Sequence, residues 1–81
     1  MNGIKLNIVS PESTVVDTEV ESVTLPGTLG SFQVLRDHAP LISSLEKGEI
    51  VYVKDGQKNS IPIASGFVEV LSNTVSVCVE M

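Results

Sequence analysis

The chain has 81 residues, a formal net charge of −5 and a sequence pI near 4.5. That length allows one small domain, expected over residues 1–81, which buries only about 60% of its unfolded surface. The acidic balance argues against nucleic acid and against an anionic lipid surface, both of which are held mainly through Lys and Arg. No apolar run approaches the roughly 18 residues of a membrane span, and the N-terminus lacks the basic-then-apolar profile of a signal peptide. The chain is therefore expected to stay in the compartment where it is made. Its single cysteine, Cys78, excludes an internal disulfide and suits a reducing compartment. One His and one Cys cannot fill a tetrahedral metal shell.

Ile4, Leu6 and Ile8 alternate with Lys5, Asn7 and Val9, the period of a first strand with one face inward. Ser10-Pro11-Glu12-Ser13 reads as a turn. Thr14 to Asp17 is a short β-branched run, and Glu19 to Leu25 reads as a strand with a phase change. Val20 lies in one phase, Val23 and Leu25 in the other, which predicts a bulge near Glu21-Ser22. Asp17, Glu19 and Glu21 stand two apart and would share a face while the strand stays regular. A solvated acidic face is favoured over a cation site, because Ca²⁺ takes about six or more converging oxygens.

The stretch from Val23 to Leu45 organises the chain. Pro26-Gly27 predicts a turn, pairing a fixed φ with a residue free to take positive φ. Gly30 and an Arg36-Asp37-His38 corner follow, and Pro40 pushes Ala39 to an extended conformation. Strand, turn, short strand, corner and strand are expected in that order. Beyond it, Glu46–Glu49 is a turn and Ile50–Lys54 a strand. Asp55-Gly56 is the strongest hairpin signal, compatible with a type I′ turn into Gln57–Ile63. Pro62 places that return strand on an edge or at a bulge. Phe67–Leu71 and Thr74–Glu80 flank a two-residue Ser72-Asn73 turn, with Val75, Val77 and Val79 on one face. No helical period rises anywhere, so an antiparallel sandwich or barrel is expected.

Val15-Val16, Val34-Leu35, Leu41-Ile42, Ile50-Val51 and Val70-Leu71 are adjacent apolar pairs. Neighbours in a strand point to opposite faces, so one member of each pair aims away from the core. Either a partner protein covers a second apolar face, or bulges and corners turn both members inward. Their clustering in mid-chain tilts the reading towards a partner.

Catalytic signatures are missing. No serine near His38 sits in a nucleophile elbow, and neither a phosphate-binding loop nor a dinucleotide fingerprint occurs. Phe32, Tyr52 and Phe67 are the only aromatics, a poor base-stacking platform. His38 reads as a local hydrogen-bonding or interface residue before a catalytic one, since a base needs partners within reach. Cys78 lacks a basic neighbour and reads as inert. The chain is read as non-catalytic, with no cofactor and no metal. A free-standing β-sandwich module for a small ligand or peptide, and a small hydrolase using His38, are the other classes weighed.

In combination, several motifs closely resemble the epsilon subunit of bacterial F-type ATP synthases. They are Ile8-Val-Ser-Pro-Glu12, Val23-Thr-Leu-Pro-Gly27, Gly30-Ser-Phe-Gln-Val-Leu35, His38-Ala-Pro-Leu-Ile42, Gly48-Glu-Ile50, Ser65-Gly-Phe-Val-Glu-Val70 and Asn73-Thr-Val-Ser-Val77. The resemblance runs from Ile4 to Glu80 and implies a flattened β-sandwich of about ten short strands. It implies a rotor (central stalk) subunit that links gamma to the c ring and couples proton translocation to ATP synthesis. Ser10, His38, Ala39, Pro40, Leu41 and Ser43 would then face gamma, and Thr28, Leu29, Gly30, Ser31 and Phe32 the c ring. The implied place is peripheral, at the cytoplasmic face of the bacterial inner membrane, within a hetero-oligomeric complex and without lipid insertion.

Departures from the family pattern are also visible. Ser31 stands where many members carry an acid, Gln33 replaces a common glycine, and Ser65 replaces the first of a frequent glycine pair. Arg36-Asp37 replaces a common Pro-Gly, which predicts a different backbone at that corner. The sequence ends at Met81, before the C-terminal helical hairpin of most members, so a short form without that inhibitory or ATP-binding element is expected.

Overall fold

Period-two alternation decides which way each strand faces. In the computed structural model, which describes residues 3–81, β1 (Ile4–Val9) turns Ile4, Leu6 and Ile8 inward, each fully buried. β9 (Thr74–Glu80) does the same with Val75, Val77 and Val79, and β8 (Ser65–Leu71) with Val68 and Val70. β2 (Thr14–Val20) pairs antiparallel with β1, and β5 (Leu41–Leu45) with β8. These five strands form one layer in the order β2-β1-β9-β8-β5.

The second layer holds β3 (Ser22–Gly27), β4 (Gly30–Val34), β6 (Gly48–Lys54) and β7 (Gln57–Ile63). Val23, Leu25, Val34, Ile50 and Ile63 face the first layer and complete a core of branched aliphatic side chains. Phe32 and Tyr52 pack at its margin, half-buried. The two layers stay one continuous sheet through a single register pair between β3 and β5, Gly27 opposite Leu45. Opposite that seam, the Glu21 amide donates to the Val53 carbonyl at 2.7 Å and the Lys54 ammonium bonds the Thr18 hydroxyl.

The all-β sandwich is present with nine strands among the described residues; residues 1 and 2 of the expected domain lie outside them. All pairings are antiparallel except β1 with β9. Several local expectations are corrected. There is no bulge inside one strand at Glu21-Ser22: the chain leaves β2 at Val20 and begins β3 at Ser22 in the other layer. The phase change exists because Val20 and Val23 enter one core from two layers. The acidic row is broken at the same place, since Glu21 has left the strand, while Lys5 stands opposite Glu19.

Pro26-Gly27 is likewise not a turn. Both residues belong to β3, and the reversal falls on Thr28-Leu29, with Gly27 paired to Gly30. Gly30 takes a φ of 132°, which an L side chain rarely adopts. Gly27 is required for another reason. A Cβ there would lie 2.7 Å from the Gly30 carbonyl oxygen and 2.9 Å from the Phe32 ring. Of the other turns, Glu46–Glu49 is shorter than expected, since Gly48 and Glu49 already belong to β6, while the two hairpin turns match their residues. Asp55 and Gly56 have φ of 53° and 76°, Ser72 and Asn73 of 52° and 61°, the signs of type I′ hairpins. Pro62 sits in β7, which among the described residues pairs only with β6 and so forms an edge.

Candidate functional site

The outer face of the first layer is built by register. Ile42 stands opposite Glu69, Ser44 opposite Phe67, Phe67 opposite Cys78, and Cys78 beside Val9. Alternation sends these side chains away from the core. Three large apolar groups therefore meet solvent, Ile42 at 77%, Phe67 at 57% and Leu71 at 53% exposure. The adjacent pairs Leu41-Ile42 and Val70-Leu71 each resolve into one inward and one outward member, and Val34-Leu35 does the same. In these three pairs no bulge folds the second member back in, whereas Val15-Val16 follows the other course: the register shifts there, and both side chains are half-buried against the core.

Two hollows mark this face. One, of about 410 Å³, is lined by Val9, Ser10, Pro11, Phe67, Cys78 and Glu80 among others. Gly66 at its margin lets the β9 backbone come close: a Cβ there would run into the Cys78 carbonyl. The other, of about 350 Å³, lies between Pro40, Leu41, Ile42, Glu69 and Leu71. Ser10 is thus at one end of the face and Pro40 at the other, with Phe67 and Leu71 of β8 between them. Ser10 is fixed there by a tight turn, its amide donating to the Ser13 carbonyl at 2.9 Å.

The corner leading into β5 spans Leu35–Pro40, outside either ladder. Its turn closes with the His38 amide on the Leu35 carbonyl at 3.2 Å. His38 Nδ1 lies 2.7 Å from the Ala39 carbonyl oxygen. A carbonyl only accepts, so Nδ1 carries the proton in this contact. The nearby serines are engaged elsewhere. Ser43 Oγ donates to the Ser44 carbonyl at 3.0 Å, and Ser44 Oγ meets Thr28 Oγ1 at 3.0 Å. The histidine has a local hydrogen-bonding role, as its sequence context suggests.

The β3–β4 hairpin carries the second group. Leu29 at its tip is fully exposed, and Ser31, paired with Pro26, is exposed as well. Thr28 ties the tip to the first layer, its amide donating to the Ser44 carbonyl at 3.1 Å. The two candidate groups are therefore joined through β5.

Placement differs residue by residue. Ser10 and Pro40 line the two hollows of one flank, His38 and Ala39 stand in the corner before Pro40, and Thr28, Leu29, Gly30 and Ser31 form the hairpin tip. Leu41 and Ser43 have the inward register of β5, opposite Val70 and Val68, and Phe32 the inward register of β4, opposite Leu25. Ile42, Phe67 and Leu71 present the most apolar surface on that flank and lie outside the residues that the resemblance assigns to gamma or the c ring. The apolar pairs contained the signal for Ile42 and Leu71, but only the phase of each strand says which member faces out.

Comparison with known proteins places the chain among close relatives. The family of ATP synthase delta/epsilon chain β-sandwich domains matches residues 3–81. The ATP synthase epsilon chain of Trichlorobacter lovleyi is 46% identical over 77 residues, 95% of this chain and 56% of that protein. The one from Desulfitobacterium hafniense is 47% identical over 72 residues, 89% of this chain and 54% of that protein. The chain spans about half the length of the curated relatives it matches. Among solved structures, a chain in the Euglena gracilis mitochondrial ATP synthase (OSCP/F1/c-ring) superposes with a TM-score of 0.93 at 20% identity, covering 100% of this chain and 52% of that one. A chain in the Tetrahymena thermophila mitochondrial ATP synthase central stalk and c-ring gives 0.82 at 13% identity, over 95% and 63%. At those identities the likeness is one of fold.

Proposed function

The chain belongs to the family of ATP synthase delta/epsilon chain β-sandwich domains, and from that premise we propose that it is a non-catalytic rotor component linking gamma to the c ring. Its outer sheet face, with Ser10 at one end and His38–Pro40 at the other, lies against gamma. The Thr28–Ser31 hairpin tip lies against the loops of the c ring. The work is mechanical: a broad contact lets rotation in the membrane pass to the stalk without slippage. The chain sits peripherally at the cytoplasmic face of the bacterial inner membrane through this complex, and no described residue lies in a helix long and apolar enough to cross it.

The observation that carries the reading is the exposure of Ile42, Phe67 and Leu71 on one sheet face. Leaving such a row in water forgoes about 1.5–3 kcal/mol per side chain relative to burial. A torque-bearing contact of this kind is expected to bury on the order of 2,000 Å² in total. A free-standing module for a small ligand or peptide would need only the hollow at Ser10. It gives no reason for apolar surface continuing to Ile42 and Leu71.

The test is reconstitution of the ATP synthase with and without this chain. Omission should weaken assembly of the stalk on the c ring and lower proton-coupled ATP synthesis. Unchanged assembly and unchanged coupling would refute the proposal.

A further inference from the structure

Two residues of this chain occupy turn positions that suit glycine, and they bond to each other. Asp37 is the third residue of the Leu35–His38 turn and has a φ of 65°. That position takes Gly most readily, although Asp and Asn tolerate it better than other residues. Asn73 is the second central residue of the β8–β9 hairpin at a φ of 61°, where Gly is again preferred. The Asp37 amide donates to Asn73 Oδ1 at 2.6 Å, and Asn73 Nδ2 donates to Asp37 Oδ1 at 3.3 Å. The Asn73 carbonyl meanwhile accepts the Lys5 amide at 2.9 Å. Its backbone is therefore held by β1, β8 and β9, while its side chain reaches out to a corner that neither ladder holds.

A choice that goes against local preference at two sites, and that joins those sites, marks a position kept for something other than turn stability. We propose that Asn73 is a positioning residue: acting through Asp37, it holds the His38–Pro40 segment in the conformation that binds gamma. This rests on the rotor reading above. Ala39 and Pro40 are exposed, His38 is half-buried, and the segment lies outside the strand ladders, so without the bond it samples other conformations. A partner selecting one of them then binds more weakly in proportion to the fraction that is competent.

Asn73→Gly separates this role from fold stability. It retains the positive φ and the Lys5 bond and deletes only the side chain. The melting temperature of the full chain should stay equal or rise. Affinity for purified gamma should fall by about 3–10-fold, the worth of such a bond, and the Asp37 and His38 amides should exchange hydrogen several-fold faster. Asp37→Gly approaches the bond from the other side, and the double variant should lose no more affinity than either single one. Wild-type affinity in Asn73→Gly, or unchanged exchange at Asp37 and His38, would overturn the proposal. So would a loss of affinity that merely follows a loss of stability. If the unaltered chain does not bind gamma, the rotor reading itself falls and takes this role with it; faster exchange in the variant would then show that the bond orders the corner for no such purpose.

Discussion

Gly27 and Leu45 form the one register pair that keeps the two layers of the sandwich a single sheet. The Thr28 amide on the Ser44 carbonyl and the Glu46 amide on the Pro26 carbonyl brace it on either side. Gly27 fits only without a side chain, because Gly30 and Phe32 fill the space a Cβ would take. Gly27→Ala should therefore destabilise the fold by about 1–3 kcal/mol, the usual cost of overpacking. Urea denaturation followed by circular dichroism measures this, and a midpoint equal to wild type would remove the seam from the account.

The core should be sensitive as a whole. Leu6 is fully buried between the layers, so Leu6→Ala removes buried methyl groups and leaves a cavity at a cost of about 2–5 kcal/mol. In a small domain with a stability of order 5–15 kcal/mol at most, that is a large share. Calorimetry should show a melting temperature lowered by more than ten degrees or so. A drop of only a degree or two would mean that the layers collapse around the gap.

On the outer face the sign of the expectation is different. Ile42→Ser and Leu71→Ser remove side chains that are more than half exposed. Each should change stability by no more than about 0.5 kcal/mol, while together they weaken the interface with gamma at least tenfold. Titration calorimetry against purified gamma reads the affinity, and thermal melts read the stability. Equal affinity in the double variant would show that this face is not the contact.

Leu29 at the hairpin tip gives a separate test of the second contact. Its side chain is fully exposed, so Leu29→Asp should leave the fold unaffected and spare binding to gamma. In a reconstituted synthase it should lower the retention of the stalk on the c ring, measured by co-purification with the ring. Full retention would exclude the tip from that contact.

Much of the fold was legible where alternation is unbroken. β1 and β9 follow from period two, and the Asp55-Gly56 and Ser72-Asn73 hairpins from residues that tolerate positive φ. Pro26-Gly27 misled because the same dipeptide serves a turn or a tight strand pairing. What decided it, the closeness of Gly30 and Phe32, is a contact made by the fold and is invisible along the chain. The corner at Glu21 was read as a bulge because a change of phase does not say whether the chain stays in its layer. The apolar flank was half legible: adjacent apolar pairs announced an outward greasy residue, but Ile42 rather than Leu41 is exposed only because β5 pairs with β8 in this register. Gamma and the c ring came from resemblance alone, since no spacing of residues encodes a partner's name.

The thiol of Cys78 offers the most direct test of whether a partner covers this surface. It is free and exposed, and stands opposite Phe67 in the hollow at the Ser10 end of the apolar flank. With no basic neighbour to activate it, the thiol of the chain alone should label with maleimide at the rate of an ordinary exposed cysteine, and saturating gamma should slow that tenfold or more. A labelling rate unaffected by bound gamma would place the contact elsewhere and contradict the account.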